Sequence, residues 1–140
     1  MPATMRPITI EELNARIPGT MMEQLGIRFT AVGENFVEGS MPVDHRTHRP
    51  GGILHGGANV ALAETLGSVG SALTTDNSRF HCVGIDINAT HLKQVKEGTV
   101  YGRAEAMHLG YRVQVWEIKI RDSENRLVSV SRLTVAILPK

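Results

Sequence analysis

Apolar and polar residues alternate along this chain with two different periods. Between residues 54 and 75 the period is helical, with Leu62, Leu66, Val69 and Leu73 at spacings of four, three and four. That stripe gives one long helix a core side. Glu64 lies on another face, where its neighbours one and two turns away are Gly57, Val60, Ala61, Gly67, Ser68 and Ser71. This second face is small and polar around one carboxylate. Gly67 and Gly70 each cost about 1 kcal/mol against alanine inside a helix. A fold retains such residues where another group must approach the backbone closely.

The flanking segments carry shorter signals. Thr9 with Glu12 is a capping box that predicts a helix over residues 10–16, and Thr20 with Glu23 repeats it, with Gly26 as a stop. Residues 27–31 and 36–43 read as strands around a turn at 33–35, and residues 44–53 as a polar loop leading into the long helix. After a loop at 76–78 the pattern is strand-like over 81–95, 99–108, 112–121 and 127–138. Two strands, a long helix and four long strands predict an α+β domain over 1–140, an antiparallel sheet wrapped around one helix. One helix cannot cover a sheet of that size, so a homo-oligomer is expected.

Composition changes this picture in a few places. Aromatic residues are only 4% of the chain, so the core is aliphatic with Trp116 as its one large anchor. A net charge of +1 argues against a nucleic-acid partner. The single cysteine, Cys82, admits no intrachain disulfide and fits a reducing, cytoplasmic location. Residues 1–18 hold no continuous apolar run, and the longest uncharged stretch, 50–63, is too short and glycine-rich to span a bilayer. No membrane association is expected.

Candidate chemistry centres on the long helix. Gly56 and Gly57, after His55, offer free N–H groups at its positive end, where an oxyanion is stabilised. Glu64 can activate water or attack a carbonyl itself. It reads equally as a solvent-exposed side chain. Ser68 either orients water or is a small packing residue, and His55 either contacts substrate or holds the turn. Asp44, His45 and His48 lack the spacing of a zinc site, so no metal is expected. Nucleophile-elbow, phosphate-loop and dinucleotide motifs are absent. His91, Lys93, Lys96, Arg103, His108 and Arg112 form a basic set suited to a phosphorylated ligand, or an ordinary solvated face.

These residues fall within longer motifs: MPVD at 41–44, LHGGA at 54–58, LAETLGS at 62–68, VGIDINATH at 83–91, HLG at 108–110 and RLTVAIL at 132–138. Over residues 8–138 the chain resembles the bacterial hotdog-fold acyl-CoA thioesterases of the phenylacetate-degradation group. Within that group it is most similar to the aryl-CoA enzymes, those of 1,4-dihydroxy-2-naphthoyl-CoA, enterobactin proofreading and glutamate-dependent 4-hydroxybenzoyl-CoA hydrolysis. The resemblance implies a hotdog fold, a dimer of dimers with sites between subunits, and an acyl-CoA or aryl-CoA substrate. It implies no cofactor, CoA being part of the substrate. Glu64 matches the catalytic carboxylate, Gly56 the N–H that polarises the thioester carbonyl, and His55 and Ser68 the supporting polar residues. Gly84, His91, Leu92, Lys93, Gln94, His108, Leu109, Gly110, Tyr111, Arg112 and Val113 match the CoA-contacting positions. The chain departs from the family at Arg49, where glutamine is common, and at Gly51, where an aromatic is common. A hotdog hydratase or dehydratase, and an acyl-CoA-binding module without catalysis, are the competing readings.

Overall fold

Local capping starts the chain. The computed structural model describes residues 4–140, so the first three positions of the expected domain lie outside the described residues. Helix α1 (Ile10–Asn14) begins where the Glu12 N–H donates to the Thr9 hydroxyl, as its capping box predicts, and is shorter than the expected 10–16. Helix α2 (Met21–Leu25) stops at Gly26, whose φ of 72° is the left-handed conformation glycine accepts. The second expected capping box differs in detail. Thr20 gives its hydroxyl hydrogen to the Ile17 carbonyl, and Glu23 reaches one residue further back, to the Gly19 N–H.

The sheet follows. Strands β1 (Arg28–Val32) and β2 (Phe36–Val43) form a hairpin, and β3 (His48–Arg49) pairs with β4 (Ile53–Leu54) within the stretch expected to be a loop. After helix α3 (Gly56–Leu73) come β5 (Phe80–His91), β6 (Gly98–Leu109), β7 (Val113–Arg121) and β8 (Leu127–Pro139). The large sheet has the order β1-β2-β6-β7-β8-β5, with every neighbouring pair antiparallel. Strand β5 ends at His91 rather than at the expected residue 95, because Leu54 N–H bonds the Val95 carbonyl and ties that segment to β4.

Helix α3 lies across one face of this sheet, as the hotdog arrangement requires. Leu62, Leu66 and Leu73 are buried as expected, Val69 packs against the core but is only half-buried, and Gly67, Gly70 and Ser71 are buried as well. The reason is close approach. A Cβ on Gly67 would lie 2.7 Å from a Leu133 methyl, and one on Gly70 would lie 2.6 Å from the Trp116 ring. On the sheet side, Gly39 and Gly102 likewise leave room for the Leu66 methyls. The glycines therefore seat the helix on the sheet rather than hollowing it for a ligand. Trp116, fully buried, donates its indole N–H to Gln114 Oε1, which also accepts from the Thr74 hydroxyl at the end of α3.

The opposite sheet face is polar. There Arg103 pairs with Glu38 and Glu105 and stacks over the Phe36 ring, so it does not belong with the other basic residues. Strand β5 is an edge of the sheet and carries exposed Val83 and Ile85.

Gly70→Ala tests the seating of the helix. The added methyl gains about 1 kcal/mol of helix propensity but strikes a rigid indole, and overpacking typically costs about 1–3 kcal/mol. The urea midpoint should fall with the slope unchanged. A raised midpoint would show that the helix does not sit this close to Trp116.

Candidate active site

The first turn of α3 leaves one amide for a ligand. The Gly57 N–H donates to His55 Nδ1 at 2.7 Å, and the Ala58 and Asn59 N–H groups donate to the His55 carbonyl. Among the described residues, the Gly56 N–H has no acceptor. Because Nδ1 accepts this bond, Nε2 is the ring nitrogen left to donate at this turn. The turn is held firmly. His55 N–H bonds the Thr47 carbonyl at 2.8 Å, and His48 Nε2 bonds the Lys96 carbonyl at 2.8 Å. The tip of the His91 ring lies against Gly56, where an added Cβ would meet Nε2 at 2.8 Å. Arg49, on β3, spends one N–H on its neighbour's carbonyl, Pro50, and has no ion pair among the described residues.

Glu64 is half-buried on the outward face of α3. Its carboxylate lies beside Gly84 on β5, where an added Cβ would be 3.9 Å away. It forms part of the wall of an open groove of about 500 Å³ between α2 and α3. Ser68 stands in the same wall, and Met21, Met22, Val60 and Val69 make most of the rest. Neither methionine was among the sequence-predicted site residues, because helix α2 is too short to show a period.

Distance along the helix separates the candidate groups. Gly56 and Glu64 are eight residues apart, which is a rise of about 12 Å. A carbonyl carbon under attack lies roughly 3 Å from its attacking group. The two groups of one chain therefore cannot serve the same carbonyl.

The remaining matched residues form two sets. His91, Leu92, Lys93 and Gln94 lie at the end of β5 beside Gly56, where the Lys93 N–H bonds the Val128 carbonyl. His108, Leu109, Gly110, Tyr111, Arg112 and Val113 form the β6–β7 turn, where the Arg112 carbonyl accepts from the Ile137 N–H. His91 pairs with Ser129 of β8 and Val113 with Ala136, which sets the two groups roughly 23 Å apart along that strand. One chain does not bring them together. Asp44 is engaged by Arg46, whose guanidinium holds its carboxyl well below the usual range. No group of three His, Cys, Asp or Glu side chains converges among the described residues.

The sequence model of the Thioesterase superfamily matches residues 51–129. The chain is 50% identical over 133 residues to the 1,4-dihydroxy-2-naphthoyl-CoA hydrolase of Escherichia coli K12, covering 95% of this chain and 97% of that protein. Its fold matches the crystal structure of thioesterase HI1161 from Haemophilus influenzae with a TM-score of 0.93 and 45% identity, covering 99% of this chain and 96% of the other. It also matches SAV0944 of Staphylococcus aureus, a thioesterase 39% identical to this chain, at TM-scores of 0.84 and 0.82 in two variants that cover 86% and 85% of this chain and 100% and 98% of the other. In those variants a glutamate and a glutamine, fifteen positions apart, are each replaced by alanine. Arg49 and Glu64 are also fifteen positions apart.

The His55 cap is testable by stability alone. His55→Ala removes the acceptor for the Gly57 N–H and should cost about 1 kcal/mol, while His55→Asn, which can accept the same bond, should recover most of it. Equal losses in both variants, measured by denaturant unfolding, would show that the imidazole does not cap the helix.

Proposed function

The chain belongs to the thioesterase superfamily, and on that premise we propose that it hydrolyses an acyl-CoA or aryl-CoA thioester to the free acid and CoA. The observation that carries the mechanism is the free Gly56 N–H at the positive end of α3. It donates to the thioester carbonyl oxygen and stabilises the oxyanion as it forms. Glu64 either takes a proton from the attacking water or attacks the carbonyl carbon itself. In the first route hydroxide adds to the carbonyl, and the tetrahedral intermediate collapses by breaking the C–S bond. CoA leaves as a thiolate and takes up a proton. In the second route a Glu64 oxygen bonds to the carbonyl carbon, the C–S bond breaks and CoA leaves as a thiolate; water then cleaves the mixed anhydride on Glu64, releasing the acid, restoring the carboxylate and supplying the thiolate's proton. In this reading His55 and Ser68 are the supporting polar residues.

Because one chain's Gly56 and Glu64 are too far apart, the site needs a second copy. The β5 edge offers the means. Gly84 marks the level of Glu64 and His91 marks the level of Gly56 on this strand. Antiparallel pairing of β5 with its copy, about a point midway between Gly84 and His91, sets Glu64 of one subunit against Gly56 of the other. The same pairing moves the Arg112 turn of one subunit toward Lys93 of the other, so CoA phosphates would be held across the seam. A dimer of dimers and a cytoplasmic location, both expected from the sequence, complete this reading.

Arg49 supplies a selectivity element. The spacing shared with SAV0944 supports placing it where that thioesterase has glutamine. Arginine there brings a fixed cation and a fork of donors in place of a neutral amide. With no carboxylate engaging it among the described residues, Arg49 favours acyl groups that carry an anionic or acceptor substituent.

A panel of CoA thioesters, followed by release of free thiol, tests both points. Wild-type protein should turn over the better substrates, and Glu64→Gln should lower turnover by about a hundredfold or more while still binding them. Arg49→Gln should shift the ratio of carboxylated to plain acyl-CoAs and leave the best neutral substrate little changed. Hydrolysis by Glu64→Gln at the wild-type rate would remove Glu64 from the mechanism. Loss of every activity in Arg49→Gln would make the arginine part of the chemistry instead.

A further inference from the structure

The seat of α3 changes character along its length. Over its second half the contacts are apolar and direct, with Leu133 on Gly67 and Trp116 on Gly70. Near its start, polar side chains are buried instead. Asn59 is 4% exposed, Ser129 1% and Ser131 3%. The Asn59 Oδ1 and the Ser131 Oγ have no hydrogen-bond partner among the described residues. An unpaired polar atom in the interior is costly, and folded proteins seldom leave one.

Register places these groups together. Along β8, Ser129, Ser131 and Leu133 are buried while Val130 and Arg132 are not, so the two serines face α3 as Leu133 does. An added Cβ on Gly56 would meet His91, whose partner on β8 is Ser129, and one on Gly67 would meet Leu133. Helix and strand therefore advance side by side. Eleven residues separate Gly56 from Gly67 and four separate Ser129 from Leu133, which are lengths of about 16 Å and about 13 Å. Asn59 comes three residues after Gly56, at the level between Ser129 and Ser131. Its side chain leans back toward the first turn, as helical side chains do. The two serines and the buried Ala63 leave this part of the core without the aliphatic bulk that fills the rest.

We propose that one buried water bridges the Asn59 Oδ1 and the Ser131 hydroxyl, and that Asn59 is thereby a positioning residue that sets the height of the first turn of α3 above the sheet. The positioning role rests on the hydrolytic reading above; the bridge does not. Water suits the chemistry of the site. It can donate to the amide oxygen and either donate to or accept from the hydroxyl. A buried water is normally held by about three polar groups, and Ser129 supplies a third at the same level. All three side chains are neutral, so nothing there favours an ion. The effect reaches the chemistry because the same turn carries the free Gly56 N–H. A turn that sinks or lifts moves this donor relative to the thioester carbonyl, and an oxyanion donor is effective only at close range.

A double-mutant cycle on the full-length protein tests both parts. Asn59→Leu keeps the size of the side chain and removes its acceptor, and Ser131→Ala removes the hydroxyl. Each alone strands a buried polar group and should lower the urea midpoint. The double variant, apolar on both sides, should lie no lower than either single variant. With the best CoA thioester, Asn59→Leu and the double variant should each lose about tenfold in kcat with KM little changed. Asn59→Ser, which can hold the same water, should recover most of that loss. In a crystal structure of the wild type, one water should lie within about 3.2 Å of both atoms. A direct bond between the two side chains, an unfilled space or additive midpoint shifts would overturn the bridge. Wild-type kcat in the double variant, or a loss in Asn59→Ser as large as in Asn59→Leu, would overturn the positioning role. A wild type that hydrolyses no thioester refutes the hydrolytic reading and the positioning role with it, and the midpoints and the crystal structure still decide the bridge.

Discussion

The rise of an α-helix is the constraint on which the rest depends. Eight residues separate the free Gly56 N–H from Glu64, and about 12 Å is too far for a carbonyl donor and its attacking group. Both groups nevertheless have the exposure and surroundings of site residues. Among the described residues the N–H is the one first-turn amide without an acceptor, and the carboxylate lines an open apolar groove. In the proposed mechanism the helix carries two half-sites, and pairing of the β5 edge with its own copy is what would join them.

The packing of α3 serves the same end. A helix that carries the proposed catalytic groups on its outer face needs a fixed inner face, and bulky residues there would lift it from the sheet. Gly67 and Gly70 let Leu133 and Trp116 approach the helix backbone, while Gly39 and Gly102 let Leu62 and Leu66 approach the sheet. At the other end, Thr74 and Thr75 share Gln114 with the indole of Trp116, which fixes the C-terminus of the helix. At its start, His55 bonds Thr47 and caps Gly57. The helix has little freedom to move, so the positions of Gly56 and Glu64 along the sheet are set by the fold.

Much of this was legible in the chain. The helical stripe of Leu62, Leu66 and Leu73 placed the long helix, and the alternation around Trp116 placed β7. Strand β2 was found to the residue. Helical periodicity overstated the burial of Val69, which packs against the core but is half-buried, and it missed the burial of Gly67 and Ser71. A wheel gives angles but does not say how wide the buried arc is, and a helix seated this deeply on a sheet buries a broad one. The short β3–β4 hairpin was hidden because a two-residue strand has no period. Arg103 joined the other basic residues by composition, whereas its register beside Glu38 and Glu105 is a property of the sheet. His55, Gly56 and Glu64 were recognisable as candidates. Their separation in one subunit was also implicit in the spacing, but its consequence depends on the exposed edge of β5. Met21 and the groove arise from tertiary packing between α2 and α3.

Subunit complementation addresses the shared site directly. Gly56→Pro deletes the free N–H at a position where proline suits the first turn of a helix, and His55 already has the extended backbone that precedes a proline, at φ −68° and ψ 131°. Its Cβ would need the tip of the His91 ring to shift. Chains carrying Gly56→Pro and chains carrying Glu64→Gln can be co-expressed with different tags and the mixed dimer isolated. If each site takes Gly56 from one subunit and Glu64 from the other, both parents are nearly inactive, and the mixed dimer has one intact site and about half the wild-type thioesterase activity. A mixed dimer no more active than its parents would contradict a site shared between subunits.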